Sequence, residues 1–158
     1  MYTTLQHQYR LVLSARGALF DYYQAIGAAD LLKPMPAFNN ESMVSQLVHT
    51  ANCYVFWLAC TAMKQQRPFF ISEEIHDMNA VLEIYKEVDQ VMAEFLQHFS
   101  GSLDETRPLL RPDGRPLTRS PFELFTHVTT HEFHHKGQVV SMSRQMGYTP
   151  VDTDVIRE

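Results

Sequence analysis

The sequence predicts an all-α fold, a four-helix bundle with one long connection between the third and fourth helices. Two observations lead to this prediction. Apolar residues recur at steps of three and four along four long segments, which is the spacing of one helix face. Glycine, proline and polar capping residues separate these segments. At 158 residues the chain is long enough for one substantial core, and we expect a single domain over residues 1–158.

The first helix is predicted from about Thr4 to Ala25. Gly27 and the segment Lys33-Pro34-Met35-Pro36 follow it, and such residues end a helix and favour a loop. Its apolar face consists of Leu5, Tyr9, Val12, Ala15, Leu19, Tyr22, Tyr23 and Ile26.

The second helix is predicted from the polar capping residues 40–42 to about Gln66, where Arg67-Pro68 stops it. No charged residue lies between Glu41 and Lys64, a length that raises the question of a membrane span. The polar residues inside this stretch argue against a span, and we expect a helix that is buried on more than one side. Those polar residues are Ser45, Gln46, His49, Thr50 and Asn52.

The third helix is predicted to begin between Ser72 and Asp77 and to end near Phe99, where Ser100-Gly101 closes it. The connection that follows, from 103 to 119, is rich in proline and arginine. Pro112-Asp113-Gly114 predicts a turn in its middle, so we expect a loose hairpin or an extended loop. The apolar stripe of the third helix consists of Val81, Leu82, Tyr85, Val88, Met92, Phe95, Leu96 and Phe99.

The fourth helix has the clearest start signal. Ser120 is the N-cap candidate, Pro121 takes the first helical position, and Glu123 completes a capping box. Gly147 marks the end of the helix, and we expect the tail from 148 to 158 to be irregular. A glycine inside the helix, Gly137, costs about 1 kcal/mol relative to alanine. We therefore expect a neighbouring helix to approach closely at that position.

Charge and cysteine content limit the partners and the compartment. Lys plus Arg is 13 and Asp plus Glu is 18, and the net charge of −5 argues against a nucleic-acid binder, which needs a basic face. The N-terminus lacks the cationic-then-apolar layout of a signal peptide. Cys53 and Cys60 lie about 10 Å apart along one helix, beyond the reach of a disulfide. We expect free thiols in a cytoplasmic protein, with no nucleic-acid or membrane partner.

Four of the eight histidines lie between 127 and 135. On a helical wheel, His131 and His135 fall inside the apolar stripe of the fourth helix, whereas His127 and His134 fall at its edge. Two core-facing imidazoles one turn apart each bring a nitrogen that needs a partner. They can share one metal ion inside a bundle, and a pair of structural histidines is the alternative. The stripe consists of Leu124, Val128, Val139, Met142 and Met146.

A metal site needs a third ligand, and His49 is the best candidate. It lies on a second apolar face of the second helix, and this face could meet the fourth helix. Cys53, one turn from His49, is a rival or additional ligand, but a small buried hydrophobic residue is the simpler interpretation. The main stripe of the second helix, on the other side, consists of Met43, Leu47, Ala51, Tyr54 and Leu58.

Two other metal motifs are weaker. Residues 131–135 match the zinc-protease pattern HExxH, but no histidine follows and the only later glutamate is Glu158. The pairs Glu73/His76 and Glu132/His135 have the spacing of di-iron bundles, which also need a glutamate from each of two other helices. The second helix has no internal glutamate, which disfavours a di-iron site, and the missing downstream ligand disfavours a zinc protease.

Two segments resemble a known family. His49 is followed by an aromatic stretch that ends Phe56-Trp57-Leu58, and the fourth helix carries His131-x-x-x-His135-Lys136-Gly137-Gln138. Together they resemble the DinB/YfiT-like family of metal-binding four-helix bundles. The resemblance implies a three-histidine site at His49, His131 and His135, zinc or nickel as the metal, and a homodimer. It also implies an S-transferase that activates a low-molecular-weight thiol such as bacillithiol or mycothiol for attack on a small electrophile.

Several roles stay open at this point. Three histidines leave one metal position for a thiol, whereas a fourth ligand from Cys53 or His134 would give a closed, structural site. Gln138 is a candidate to orient a ligand imidazole, and Glu132 and His134 are candidates to move a proton. The alternative function is a non-enzymatic metal-binding, structural or stress-response bundle protein. Arginines that could bring charge to the site, or simply form a solvated loop, are Arg107, Arg111, Arg115 and Arg119.

Overall fold

The computed structural model describes residues 1–157 and contains four long helices. α1 packs against α3 and α4, and α2 packs against the same two helices. The helices therefore form a ring in which α1 and α2 lie on one diagonal. This arrangement confirms the predicted all-α bundle. The helices span α1 Tyr2–Gln24, α2 Met43–Tyr54, α3 Met78–His98 and α4 Pro121–Gln145.

Polar side chains fix the starts of three helices, close to where the sequence predicts them. Ser42 and Ser45 form a reciprocal capping box at α2, and Ser120 and Glu123 form another at α4. Asp77 accepts a hydrogen bond of 2.8 Å from the Ala80 amide at α3. Each cap satisfies an amide that has no partner within its own helix.

α2 continues as a π-helix over Val55–Ala62. The buried hydroxyl of Thr61 donates to the Phe56 carbonyl at 2.8 Å, five residues earlier. Lys64 then adopts a left-handed backbone with φ of 57°. The helical segment therefore ends before the predicted limit at Gln66, because a left-handed residue stops it ahead of Arg67-Pro68.

The connections are mostly short. The predicted hairpin is confirmed, with antiparallel strands β1 and β2 and Gly114 at φ of 79° in its turn. The loop after α1 contains two helical turns that the sequence analysis did not predict. Residues 148–157 form no helix or strand, as expected. The bounds are β1 Arg107–Leu110, β2 Pro116–Arg119, and single turns at Ala28–Leu31, Pro36–Phe38 and Ser72–Glu74.

Buried side chains from all four helices form one apolar cluster. The predicted main stripe of α2 is buried throughout, from Met43 to Leu58. The uncharged stretch of α2 is thus explained by contacts with α3 and α4. Within residues 1–157, no helix combines the length and the hydropathy that crossing a membrane requires.

A buried polar network crosses this core. Arg16, 5% exposed, donates from Nε and Nη2 to the two carboxylate oxygens of Glu132 at 2.8 and 2.9 Å. Its Nη1 donates to Asp89 at 2.5 Å. The Tyr54 hydroxyl donates to Glu132 at 2.5 Å, and the Tyr9 hydroxyl donates to Asp89 at 2.7 Å. Burial raises the pKa of Tyr54, so this hydroxyl keeps its proton. The network joins all four helices.

The buried face of α4 is centred close to Glu132. On the wheel the centre of this face is rotated by about 50° from the centre of the predicted stripe. Glu132, a candidate to move a proton, is buried in this face, and His131 and His135 lie at its flank rather than at its centre. The difference arises because a wheel of apolar residues ignores a carboxylate that is buried as an ion pair. The face consists of Leu124, Phe125, Val128, Thr129, Glu132, Val139, Val140, Met142 and Ser143.

Gly137 lies on the solvent side of α4. A Cβ atom built there has no heavy atom within 4 Å outside its own helix backbone and its chain neighbours, so the predicted close approach of another helix is wrong. The residue is nearly opposite Glu132 on the wheel and is exposed. Nothing in the packing of α4 requires a glycine at this position.

We expect Arg16→Met to lower the free energy of unfolding by about 3–5 kcal/mol, because the carboxylate of Glu132 stays buried without its cation. Urea unfolding measures this value. Arg10→Met, on the exposed side of α1, is the matched control and should change it by less than about 0.5 kcal/mol. Adding Glu132→Gln to Arg16→Met should recover part of the loss. Equal effects of the two arginine substitutions would contradict a structural ion pair.

We expect Gly137→Ala to raise the free energy of unfolding by about 1 kcal/mol, because alanine restricts the unfolded chain and meets no neighbour in the helix. Gly147→Ala is the opposite control. Gly147 has φ of 92°, which strains any residue with a Cβ, so this substitution should destabilise the protein. Thermal or urea unfolding of both variants tests the pair, and a destabilised Gly137→Ala would show that a contact had been missed.

Candidate metal centre

Three histidines from two helices converge at the flank of the bundle. His49 comes from α2, and His131 and His135 come from successive turns of α4. One nitrogen from each imidazole lies within 4.8 Å of the other two. Nε2 of His49 lies 3.2 Å from Nε2 of His131. The structure thus brings together the three residues singled out in the sequence.

The nitrogen spacing fits a divalent ion. Zinc–imidazole bonds of about 2.0–2.1 Å in a tetrahedron place two ligand nitrogens about 3.3 Å apart. The 3.2 Å separation of His49 and His131 is close to this value. The ring centroids of His131 and His135 are 4.3 Å apart, and those of His49 and His135 are 4.8 Å apart. Three histidines this close could hold a metal ion.

The two cluster histidines of α4, His131 and His135, are neutral at neutral pH. Burial, together with repulsion from the neighbouring imidazoles, lowers the pKa of His131 and of His135 to about 4. At neutral pH each ring therefore keeps a free lone pair. Neutral imidazole is the form that binds a metal, so little proton release is needed.

Gln46 orients one of the ligands. The Nδ1 atom of His135 lies 2.6 Å from Oε1 of Gln46, so Nδ1–H donates and Nε2 keeps its lone pair for a metal. Gln138 was the candidate for this role from the sequence; its Nε2 lies 3.3 Å from Nε2 of His134, and its side chain also raises the pKa of His135 as a hydrogen-bonding neighbour. Gln46 was not identified from the sequence. The pattern that could have indicated its role is a side-chain amide three residues before His49, on the same helix face.

Other candidate ligands lie outside the cluster. Within residues 1–157, the group consists of the three histidines, without Cys53 or His134. Cys53 is buried, and burial raises the pKa of its thiol to about 12, as expected for a small hydrophobic residue rather than a thiolate ligand. His134 is exposed. The cluster therefore leaves room for an external ligand.

The two glutamate motifs do not supply ligands. Both carboxylate oxygens of Glu132 are engaged in the core by Arg16, and Tyr54 adds a third hydrogen bond. Glu132 is thus occupied and is not placed to act as the base of an HExxH protease. Glu73 and His76 are exposed and are not part of the three-histidine group. This arrangement disfavours the protease and di-iron interpretations.

An aromatic pocket adjoins the histidines. It has a volume of about 250 Å³, and His49 and His131 form one wall. Phe69, His127 and Asn52 were not assigned a role from the sequence; the signal for Phe69 was a pair of aromatic residues directly after Pro68. Phe69 also lines a larger cavity of about 720 Å³. The aromatic pocket is lined by His49, Asn52, Cys53, Phe56, Trp57, Phe69, His127 and His131.

One of the four connection arginines reaches this region. The guanidinium of Arg111 lies 5.5 Å from the ring centroids of both Phe56 and Trp57. Arg107 instead stacks on Phe99, and Arg115 and Arg119 are exposed. The expectation of a solvated basic loop therefore holds for Arg115 and Arg119. Arg111, paired with Asp113 at 2.7 Å, places its guanidinium beside the pocket.

A comparison with family profiles matches the whole chain, residues 1–158, to the DinB family. The chain belongs to the DinB family. The match confirms the resemblance drawn from the His49 segment and the His131–Gln138 segment. A comparison with curated proteins gives no match to this DinB-family chain.

We expect Gln46→Ala to weaken Zn²⁺ binding by this DinB-family protein by about 10–100-fold, because His135 loses the acceptor that fixes its tautomer. Competition against a chelator of known affinity measures the change. Gln46→Glu retains an acceptor and should keep the affinity within about threefold of wild type or raise it. Gln66→Ala, an exposed glutamine beyond the helix, is the control. Equal affinities for Gln46→Ala and Gln66→Ala would contradict the role of Gln46.

Proposed function

We propose that this protein is a metal-dependent S-transferase. It binds a zinc or nickel ion through His49, His131 and His135 and transfers a low-molecular-weight thiol to a small electrophile. The observation that carries the proposal is the combination of three clustered imidazoles with an adjoining apolar pocket. A purely structural ion would be served better by four protein ligands and by full burial.

The metal supplies Lewis acidity, which lowers the pKa of a thiol bound beside the three histidines. The protein's own residues do the rest. Gln46 keeps the lone pair of His135 directed toward the cluster. The buried pair of Arg16 and Glu132 holds α4 in the rotation that presents His131 and His135. The aromatic pocket excludes water from one side of the reacting groups and positions the electrophile.

The nucleophilic sulfur belongs to a second substrate rather than to the protein. The pKa of Cys53 is raised to about 12 by burial, so this neighbouring thiol is protonated at neutral pH and is a poor nucleophile. In the proposed reaction a sulfur–carbon bond forms and the bond from carbon to the leaving group breaks. The thiol proton and the leaving group depart together as an acid. No oxidant or reductant is consumed.

The partners and setting are part of the same proposal. Cytoplasmic location is supported by the two free cysteines, which suit a reducing compartment. A homodimer is implied by the family resemblance, and the mass of the protein in solution tests it. The net charge of −5 supports small molecules rather than nucleic acid as partners.

We expect about one zinc or nickel ion per chain in the wild type and almost none in His49→Ala or His135→Ala, because two imidazoles hold these ions weakly. Elemental analysis of the purified proteins measures this content. His76→Ala, an exposed histidine outside the cluster, should keep the full content. Consumption of a thiol with a panel of alkyl and arylmethyl halides then tests transfer. Metal binding without transfer would favour a non-enzymatic metal protein, and absence of metal after reconstitution would contradict the site.

A further inference from the structure

The pocket beside the histidines is built from aromatic rings. The rings of Phe56 and Trp57 meet edge to face at 5.0 Å, and Trp57 meets His127 in the same way at 5.1 Å. Phe69 lies nearly parallel to Phe56, with centroids 6.3 Å apart. Such walls favour a flat apolar group, which can stack on one ring and contact the edge of another.

Phe69 lines the pocket although much of its apolar ring is exposed to water. Its side chain is 46% exposed, although large apolar side chains are usually buried. The backbone beside it is clamped by Asn52, whose amide donates to the Phe70 carbonyl at 2.9 Å and accepts from the Phe70 amide at 2.8 Å. Asn52 lies one turn after His49 on α2. The clamp therefore ties the position of Phe69 to the helix that carries a candidate metal ligand.

The volume of the pocket and a free donor beside it restrict which ligands fit. A volume of about 250 Å³ exceeds the roughly 150 Å³ cavity that accommodates benzene, so one substituted ring fits. The Arg111 guanidinium lies 5.5 Å from the centroids of Phe56 and Trp57, and its buried Nε has no hydrogen-bond partner. Nη2 of Arg111 pairs with Asp113 at 2.7 Å, which compensates the charge, so what the guanidinium offers a ligand is the free Nε–H donor. That donor favours a ring with a hydrogen-bond acceptor as substituent.

We propose that this pocket binds the electrophile through a single aromatic ring, so that the substrates are arylmethyl compounds. The inference rests on the proposed S-transferase function and specifies its electrophile. The carbon bonded to the leaving group lies next to the ring, on the side of His49 and His131. The thiol sulfur bonds to that carbon, and the leaving group departs with the thiol proton.

The chain contains a single tryptophan, Trp57, so its fluorescence reports on this pocket alone. The probe is 4-nitrobenzyl alcohol, an unreactive nitroaromatic quencher, and nitroethane is the aliphatic comparison. We expect saturable quenching by the aromatic probe and only linear, collisional quenching by nitroethane. Because the probe needs the rings and not the metal, both chelator-treated and Zn²⁺-loaded protein should give saturable quenching.

Two variants test which residues form the site. Phe69→Ala should weaken probe binding by about two- to tenfold, the value of one aromatic contact. Phe122→Ala removes a similarly exposed ring, 42% exposed at the start of α4, and should leave binding unchanged. Asn52→Ala should weaken binding as Phe69→Ala does, and the double variant should lose no more than either single variant. This non-additivity separates a positioning role for Asn52 from a general loss of structure.

The outcomes separate this inference from the proposed function. Linear quenching in the wild type, or equal binding by Phe69→Ala and Phe122→Ala, would overturn the aromatic pocket. Thiol transfer to alkyl halides alone, without saturable quenching, would overturn the pocket and leave the S-transferase standing. Saturable quenching without thiol transfer would support the pocket as a binding site and overturn the S-transferase.

Discussion

The bidentate ion pair between Arg16 and Glu132 determines how α4 is rotated in the bundle, and the histidine cluster depends on that rotation. Glu132 follows His131 directly and lies three residues before His135. Once its carboxylate is held in the core, both imidazoles must lie at the flank of the same helix. Burying two charges brings little net stability, because desolvation offsets most of their attraction. The pair instead selects one rotation of α4, since other rotations would take the carboxylate of Glu132 away from Nε and Nη2 of Arg16.

Much of the fold follows from local sequence signals, and the errors arise where one helix depends on another. The capping residues Ser42 and Ser120 specify helix starts because their hydroxyls bind amides only three residues away. The rotation of α4 was misjudged because the wheel contains no information on Arg16, which lies 116 residues from Glu132. The role of Gln46 was missed for the same reason, since its acceptor matters only when His135 of another helix arrives beside it. The π-helix was missed because side-chain periodicity does not report a shifted backbone hydrogen bond.

One face of α2 and its continuation combines ligand, support and pocket. Gln46, His49, Asn52 and Phe56 lie at steps of three or four residues and therefore share that face. Gln46 orients a ligand imidazole, and His49 is itself a candidate ligand. Asn52 clamps the segment that carries Phe69, and Phe56 lines the pocket. Among the residues of the histidine cluster and the aromatic pocket, α4 supplies His127, His131 and His135. A short rigid helix thus sets most distances in the site, which favours a precise arrangement over an adaptable one.

The π-helix at Val55–Ala62 has a consequence for how the chain tolerates changes in length. A π-turn holds more residues than an α-turn, so this segment contains more residues than an α-helix of the same length would. Losing one residue there would let the backbone relax to ordinary α-helical spacing, with the adjustment confined to the segment that leads to Lys64. The same loss between Ser45 and His49 would turn one part of α2 by about 100° against the other and separate the capping box from the imidazole. A one-residue deletion should therefore be tolerated within Val55–Ala62 and excluded between Ser45 and His49.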